Sequence, residues 1–243
     1  MKINVKQVLS EAVSFYKVNF KYLAGISLIM CIFGAAFNMS PMLDPHSLLS
    51  VGLILMLAIA ALVLMPRLFL IIVIIIDSLF DKNRVTFGEA YRQIKGKYWI
   101  ILSRLFLVVV ISFIPAFVLI YMEIPFASAI GGVCSAFIMA LYYMLIPIIA
   151  LEPKTKQYLK KSIQRIKGNY TAALKLYLLT TTLLGVIIAT LQQFFAGGTT
   201  PHIIAGTAYL LVFFFVFPFA ETVIVIVYRQ LTKDRQGISE SDT

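Results

Sequence analysis

The sequence predicts an all-α, polytopic membrane protein with six transmembrane helices, and composition is the first reason. Apolar residues occupy 60% of the 243 positions and charged residues 13%, whereas soluble domains have roughly half and a quarter. A soluble core cannot hide such an excess. Several runs without Asp, Glu, Lys or Arg are also long enough to cross a bilayer, which takes about 20 residues; they cover 22–43, 105–122, 124–151 and 176–220.

The six spans follow from these runs and from one further apolar stretch. The first run holds the first span, and the last run is long enough for two spans and a turn. The second span is apolar except for Arg67. The predicted spans are Tyr22 to Phe37, Leu49 to Ile76, Trp99 to Met122, Phe126 to Leu151, Ala172 to Phe195 and Ile203 to Val227.

The placement of the cations predicts the orientation of the spans. Lys and Arg are absent from the short segments 38–49, 122–127 and 196–202. They are concentrated in the intervening segments around 82–97 and 154–167. Cytoplasmic loops carry this excess of cations, so both termini are predicted to be cytoplasmic. The net charge of +10 therefore indicates an anionic membrane leaflet as the partner, and no nucleic acid is expected.

An internal repeat precedes the odd-numbered spans. In each segment the apolar positions follow the spacing i, i+3, i+4, i+7 and i+11, the stripe of an amphipathic helix. Lys17, Lys95 and Lys167 coincide in the alignment. We expect these helices to lie along the cytoplasmic surface before the chain turns into the bilayer. The aligned positions are Leu9, Ala12, Val13, Tyr16 and Phe20; Phe87, Ala90, Tyr91, Ile94 and Tyr98; and Leu159, Ser162, Ile163, Ile166 and Tyr170.

Glycine and proline mark equivalent points of the repeat. Gly96 and Gly168 stand where the surface helix must turn into the span, and glycine adopts backbone angles that other residues resist. Val18 occupies this place in the first segment, so its turn must be made differently. Pro66, Pro147 and Pro218 each lie towards the cytoplasmic part of an even-numbered span, where proline removes a helix hydrogen bond and predicts a kink.

The chain is therefore predicted to be a single transmembrane domain over 1–232, followed by a polar cytoplasmic tail over 233–243. The domain consists of three units, 5–80, 86–152 and 156–229, each an interfacial amphipathic helix followed by a helical hairpin. All three units have the same orientation, which predicts a pseudo-threefold axis along the membrane normal.

Ionisable residues within spans are costly and are functional candidates. Arg67 and Arg104 are each close enough to the inner interface to extend their guanidinium groups to lipid headgroups. Arg67 could instead pair with Glu221 inside the bundle. Glu221 is flanked by apolar residues and should be paired, protonated or in contact with water. Asp77 directly follows an apolar stretch, 68–76. From the sequence, this stretch is either part of a strongly tilted span or an interfacial segment.

A resemblance to a known family is carried by the segments IPIIALEP at 146–153, LKKSI at 159–163 and IKGNY at 166–170. They resemble YciC-like bacterial membrane proteins, which are similar to the membrane domain of certain glycerophosphodiester phosphodiesterases. The resemblance implies a six-helix domain in the bacterial cytoplasmic membrane. The phosphodiesterase catalytic domain has no counterpart in this sequence.

No catalytic motif, metal-ligand spacing or cofactor signature is found, so we expect no enzyme activity, no metal and no cofactor. The leading hypothesis is a protein that binds lipid or an amphiphilic peptide, or acts as an accessory or immunity-like component, with a membrane-active peptide or a second membrane protein as further partners. The alternative is a transporter or channel for a small solute or lipid along the pseudo-threefold axis. Oligomeric state is left open.

Overall fold

The computed structural model describes residues 2–39, 48–124, 127–152, 155–181 and 214–232. All regular structure in these ranges is helical. The helices are α1 Val5–Met39, α2 Leu48–Phe80, α3 Phe87–Gln93, α4 Tyr98–Tyr121, α5 Ala127–Leu141, α6 Leu145–Leu151 and α7 Tyr158–Ile166. Two further helical stretches are α8 over 170–181 and α9 over 214–232.

Among the described residues, four helical segments are long and apolar enough to cross a membrane: Val63–Phe80, Tyr98–Tyr121, Ile130–Leu151 and Phe214–Thr232. They agree with the second, third, fourth and sixth predicted spans. The first predicted span is helical as part of α1, and the fifth falls largely outside the described residues, as does the tail 233–243. The count of six therefore stays a prediction.

Glycine turns join the surface helices to the helices that follow them. Gly96 separates α3 from α4 with φ +85°, and Gly168 separates α7 from α8 with φ +88°. The turns predicted at these two glycines are confirmed. The turn expected near Val18 is absent, because α1 continues through this position as one helix of 35 residues. A β-branched residue resists the left-handed backbone that such a turn requires.

A capping box fixes the start of α3. The Thr86 side chain accepts a hydrogen bond from the Glu89 backbone N–H, and the Glu89 carboxylate accepts one from the Thr86 N–H at 2.7 Å. These two bonds satisfy helix-end donors that would otherwise lack partners. The hydrogen bonds from Thr86 hold the pKa of Glu89 below its ordinary value.

About half of the buried core residues lie close to or after the three aligned prolines. Residues 68–76 of α2, 145–150 of α6 and 223–227 of α9 supply most of the fully buried apolar side chains. The stretch 68–76 does not bend away from the other helices. It continues α2 to Phe80 and is apolar on all faces because other helices surround it.

The three prolines are all buried but have different effects on their helices. Pro66 lies inside α2, and Pro218 lies inside the helical stretch α9. Near Pro147 the helix is interrupted rather than only bent, because residues 142–144 form turns between α5 and α6. Proline has no N–H to donate to the Tyr143 carbonyl, which favours a break at this point.

Helices α4 and α5 approach each other closely at a glycine. A Cβ atom added to Gly131 would lie 2.5 Å from the Cβ of Ala116. The Ser135 hydroxyl also donates to the Ser112 carbonyl across the same interface. Small residues permit this kind of backbone approach between membrane helices.

Candidate functional sites

Each of the three amphipathic segments exposes an apolar side chain four residues before a lysine. Val13, Tyr91 and Ile163 are 41%, 45% and 39% exposed. The lysines at 17, 95 and 167 are exposed as well. Val13 and Lys17 lie on the same side of α1, whereas Lys95 and Lys167 lie just after the ends of α3 and α7. Every segment therefore carries an exposed apolar group and a nearby cation, which suits the boundary between acyl chains and anionic headgroups.

A groove beside the start of α4 contains the candidate Arg104. Its volume is about 530 Å³, and its lining includes Trp99, Ser103, Thr155 and Lys156. The Trp99 side chain is 72% exposed, as is common for indoles at a membrane interface. No ion pair within the described ranges involves Arg104. The groove thus combines two cations, three residues with hydroxyl groups and an exposed indole.

Arg67 lies against an aromatic ring. Its guanidinium carbon is 4.7 Å from the centroid of the Tyr98 ring, a cation–π contact. The ion pairs of the described residues do not include one between Arg67 and Glu221. The alternative in which Arg67 pairs with Glu221 is therefore wrong. Arg67 instead connects α2 to the first residue of α4.

Asp77 forms part of an ion-pair cluster that links α2 to α9. The Arg229 guanidinium donates to the Asp77 carboxylate at 2.7 Å and to its backbone carbonyl at 3.1 Å. It also pairs with Asp81 and lies over the Phe80 ring. These contacts join helix ends and give Asp77 a structural partner that the sequence did not identify.

A second polar cluster surrounds Glu152 at the end of α6. Its carboxylate pairs with Lys161 and Arg165 of α7 and accepts hydrogen bonds from Tyr228 at 3.0 Å and Thr155 at 3.1 Å. Burial opposes ionisation of this carboxyl, but the Lys161, Arg165 and Tyr228 contacts outweigh it and hold the pKa of Glu152 below its ordinary value. The cluster holds the basic surface helix α7 against α6 and α9.

Glu221 lies in a cavity of about 260 Å³ between α4, the α5–α6 turn, α8 and α9. The residue is 4% exposed. Its Oε2 atom has no hydrogen-bond partner in the described structure. Apolar side chains form most of the lining, and no Lys, Arg or His is part of it. Of the four ionisable candidates, Glu221 is the one that lines this mainly apolar cavity.

The remaining polar groups of this cavity were not predicted from the sequence. Tyr142 and Tyr143 line the cavity, together with Tyr177, Thr180 and Thr181. The first two belong to the turn that interrupts the fourth span. The feature of the sequence that could have indicated this polar site is the pair of tyrosines a few residues before Pro147.

Comparison with protein-family models, with curated proteins and with solved structures gives no significant match to this chain. The resemblance to YciC-like proteins therefore stays a prediction. Within the described residues no cluster of three or more His, Cys, Asp or Glu side chains is placed to hold a metal ion.

Proposed function

We propose that the protein is a non-enzymatic, multi-pass protein of the bacterial cytoplasmic membrane that binds anionic lipid along its cytoplasmic face. The observation that carries the proposal is the exposed apolar residue followed by an exposed lysine at 13 and 17, 91 and 95, and 163 and 167. The groove at Arg104 and Lys156 adds a further cationic site next to an interfacial Trp. Each Lys or Arg near an anionic surface contributes about 1 kcal/mol of attraction.

The proposed architecture is six spans in three like-oriented units around a pseudo-threefold axis. Equivalent burial supports it, since Ala12, Ala90 and Ser162 are all 0% exposed, as are Leu23, Ile101 and Ala173 in the same register. The contacts of the aromatic residue that ends each aligned segment also support it. Phe20 stacks on Phe215 of the third unit, Tyr98 contacts Arg67 of the first, and Tyr170 donates to the Phe137 carbonyl of the second.

Topology reporters test this architecture. We expect a reporter fused after Asp44 or Gly198 to be external, and one fused after Lys82 or Lys156 to be cytoplasmic. A cytoplasmic signal from either of the first two sites would contradict both the six-span arrangement and the cytoplasmic lipid face.

Lipid retention tests the function. The full chain is purified from membranes that contain phosphatidylglycerol and phosphatidylcholine, and bound lipid is counted by native mass spectrometry. The variant with Lys17, Lys95 and Lys167 changed to Gln should lose up to about a hundredfold of its preference for phosphatidylglycerol, since about 1 kcal/mol is lost per lysine. The matched control changes Lys6, Lys82 and Lys160 to Gln, which are exposed but follow no exposed apolar residue. Equal losses in the two variants would contradict the proposal.

The alternative, a transporter for a small solute or lipid, is favoured by one observation, the Glu221 cavity. The cytoplasmic half of the described bundle is filled by apolar side chains, so transport would require these helices to move apart. A Glu221→Gln protein that moves no solute in proteoliposomes, beside an active parent, would support this alternative. Equal transport by both would show that Glu221 is not required, and no transport by the parent would contradict the alternative.

A further inference from the structure

The hydrogen-bonding groups around Glu221 define what the cavity can bind. The Glu221 carboxyl is buried and its Oε2 atom lacks a partner in the described structure. An unpaired carboxylate in apolar surroundings is costly. The lining supplies no basic residue that could offset this cost. Such a carboxyl is either protonated or paired, and the partner that would let it ionise is a cationic group from outside the chain.

The neighbouring threonines add acceptors to the site. The Thr180 hydroxyl donates to the Leu176 carbonyl at 2.9 Å, and the Thr181 hydroxyl donates to the Tyr177 carbonyl at 2.6 Å. A hydroxyl has one proton but two lone pairs, so each threonine oxygen can still accept a hydrogen bond. The Tyr143 hydroxyl in the same lining has no hydrogen-bond partner in the described structure and can also accept. An ammonium group has three donors and no acceptor, and this matches a carboxylate together with hydroxyl lone pairs.

Size and lining define the rest of the ligand. A volume of about 260 Å³ is below the range of roughly 300–1,000 Å³ for sites that bind drug-sized molecules. Leu105, Val108 and Ile224 form an apolar wall of the cavity. We propose that this cavity is a binding site for a small amphiphilic amine, with its ammonium group at Glu221 and its alkyl part against that wall. The site is separate from the lipid-binding surface, and neither proposal depends on the other.

Equilibrium binding to the full chain in phosphatidylcholine nanodiscs tests the site, with labelled octylamine as the probe and empty discs as background. We expect saturable binding that unlabelled octylamine displaces, while octan-1-ol and octanoate do so at least tenfold less well. Octanol has the same chain without the charge, and octanoate has the opposite charge. Displacement by octanol as effective as that by octylamine would overturn the proposal.

Variants test the role of the carboxyl group. Glu221→Gln should bind octylamine at least tenfold more weakly, and Glu123→Gln, an exposed carboxylate on the loop after α4, should bind like the parent. Ala220→Leu fills the cavity without changing its charge and should also weaken binding. Thermal unfolding and gel filtration confirm that each variant is folded. Parental affinity in a folded Glu221→Gln protein would overturn the proposal.

The amine can come from a free molecule or from a lipid headgroup, and the same assay separates the two sources. If phosphatidylethanolamine added to the discs displaces octylamine, the headgroup amine is a ligand. If it does not, the site is selective for free amines. Both outcomes support an amine site and identify its source.

Discussion

Asp77 and Arg229 occupy the same place in two different helices and form an ion pair. Asp77 is 11 residues after Pro66, and Arg229 is 11 residues after Pro218 (77 − 66 and 229 − 218). Their side chains meet at 2.7 Å, 25% and 20% exposed. Opposite charges at equivalent positions thus join the second hairpin helix of the first proposed unit to that of the third.

This pair should contribute to stability. We expect Asp77→Asn to lower the free energy of unfolding in detergent by about 1–3 kcal/mol, between the values for exposed and buried pairs. Asp81→Asn serves as the control and should cost less, because the Asp81 side chain is 59% exposed. In a double-mutant cycle, Asp77→Asn and Arg229→Gln should show coupling. Simple addition of the two costs would contradict the pairing.

The α4–α5 contact predicts opposite effects for two adjacent glycines. Gly131→Ala should destabilise the protein by about 1–3 kcal/mol, because its methyl group would meet Ala116. Gly132→Ala has no atom within 4 Å of the new methyl group and should be neutral or stabilising by up to about 1 kcal/mol. Chemical unfolding of both variants in the same detergent compares them, and similar effects would contradict the close approach.

The turn before α4 predicts a backbone effect at Gly96. Alanine at this position should cost about 1–2 kcal/mol, since φ is +85° there. The added methyl group meets no neighbour, so the cost would come from the backbone alone. Gly88→Ala, within α3, is the control and should be neutral or slightly stabilising. Equal melting temperatures for the two variants would count against the left-handed turn.

The Glu152 cluster predicts a pH effect on stability. The folded-state pKa of Glu152 is below its ordinary value of 4.5, so its ionised form stabilises the folded protein at any pH above that value. This contribution is lost as the pH falls through the lower, folded-state pKa. Melting temperatures measured from neutral to acidic pH should therefore drop less steeply for Glu152→Gln, which starts from a lower stability. Parallel curves for both proteins would contradict the assignment.

Local features of this fold were predictable from the sequence. Hydropathy located the four described membrane segments, and the aligned glycines located two left-handed turns, since both features depend on residues close together in the chain. The capping box at Thr86 and Glu89 has the same local character, although the sequence argument did not use it.

Long-range pairings were not predictable in the same way. From the sequence, Arg67, Asp77 and Glu221 are ionisable groups in or next to apolar runs. For each of them, several residues of the chain are chemically suitable partners. Arg229, which is 152 residues from Asp77, could be assigned only from the three-dimensional packing. The cavity depended similarly on the break at 142–144, because that turn brings two tyrosines towards Glu221.

The unbroken α1 makes the first unit mechanically different from the other two. At about 1.5 Å per residue, its 35 residues form a rod of roughly 52 Å. If lipid binds at Val13 and Lys17 as proposed, a tilt imposed there is carried along the whole of α1, because no break interrupts it. In the other two proposed units, the left-handed turns at Gly96 and Gly168 separate the short amphipathic helix from the helix that follows. The same displacement would there be taken up by a change in the backbone angles of one glycine.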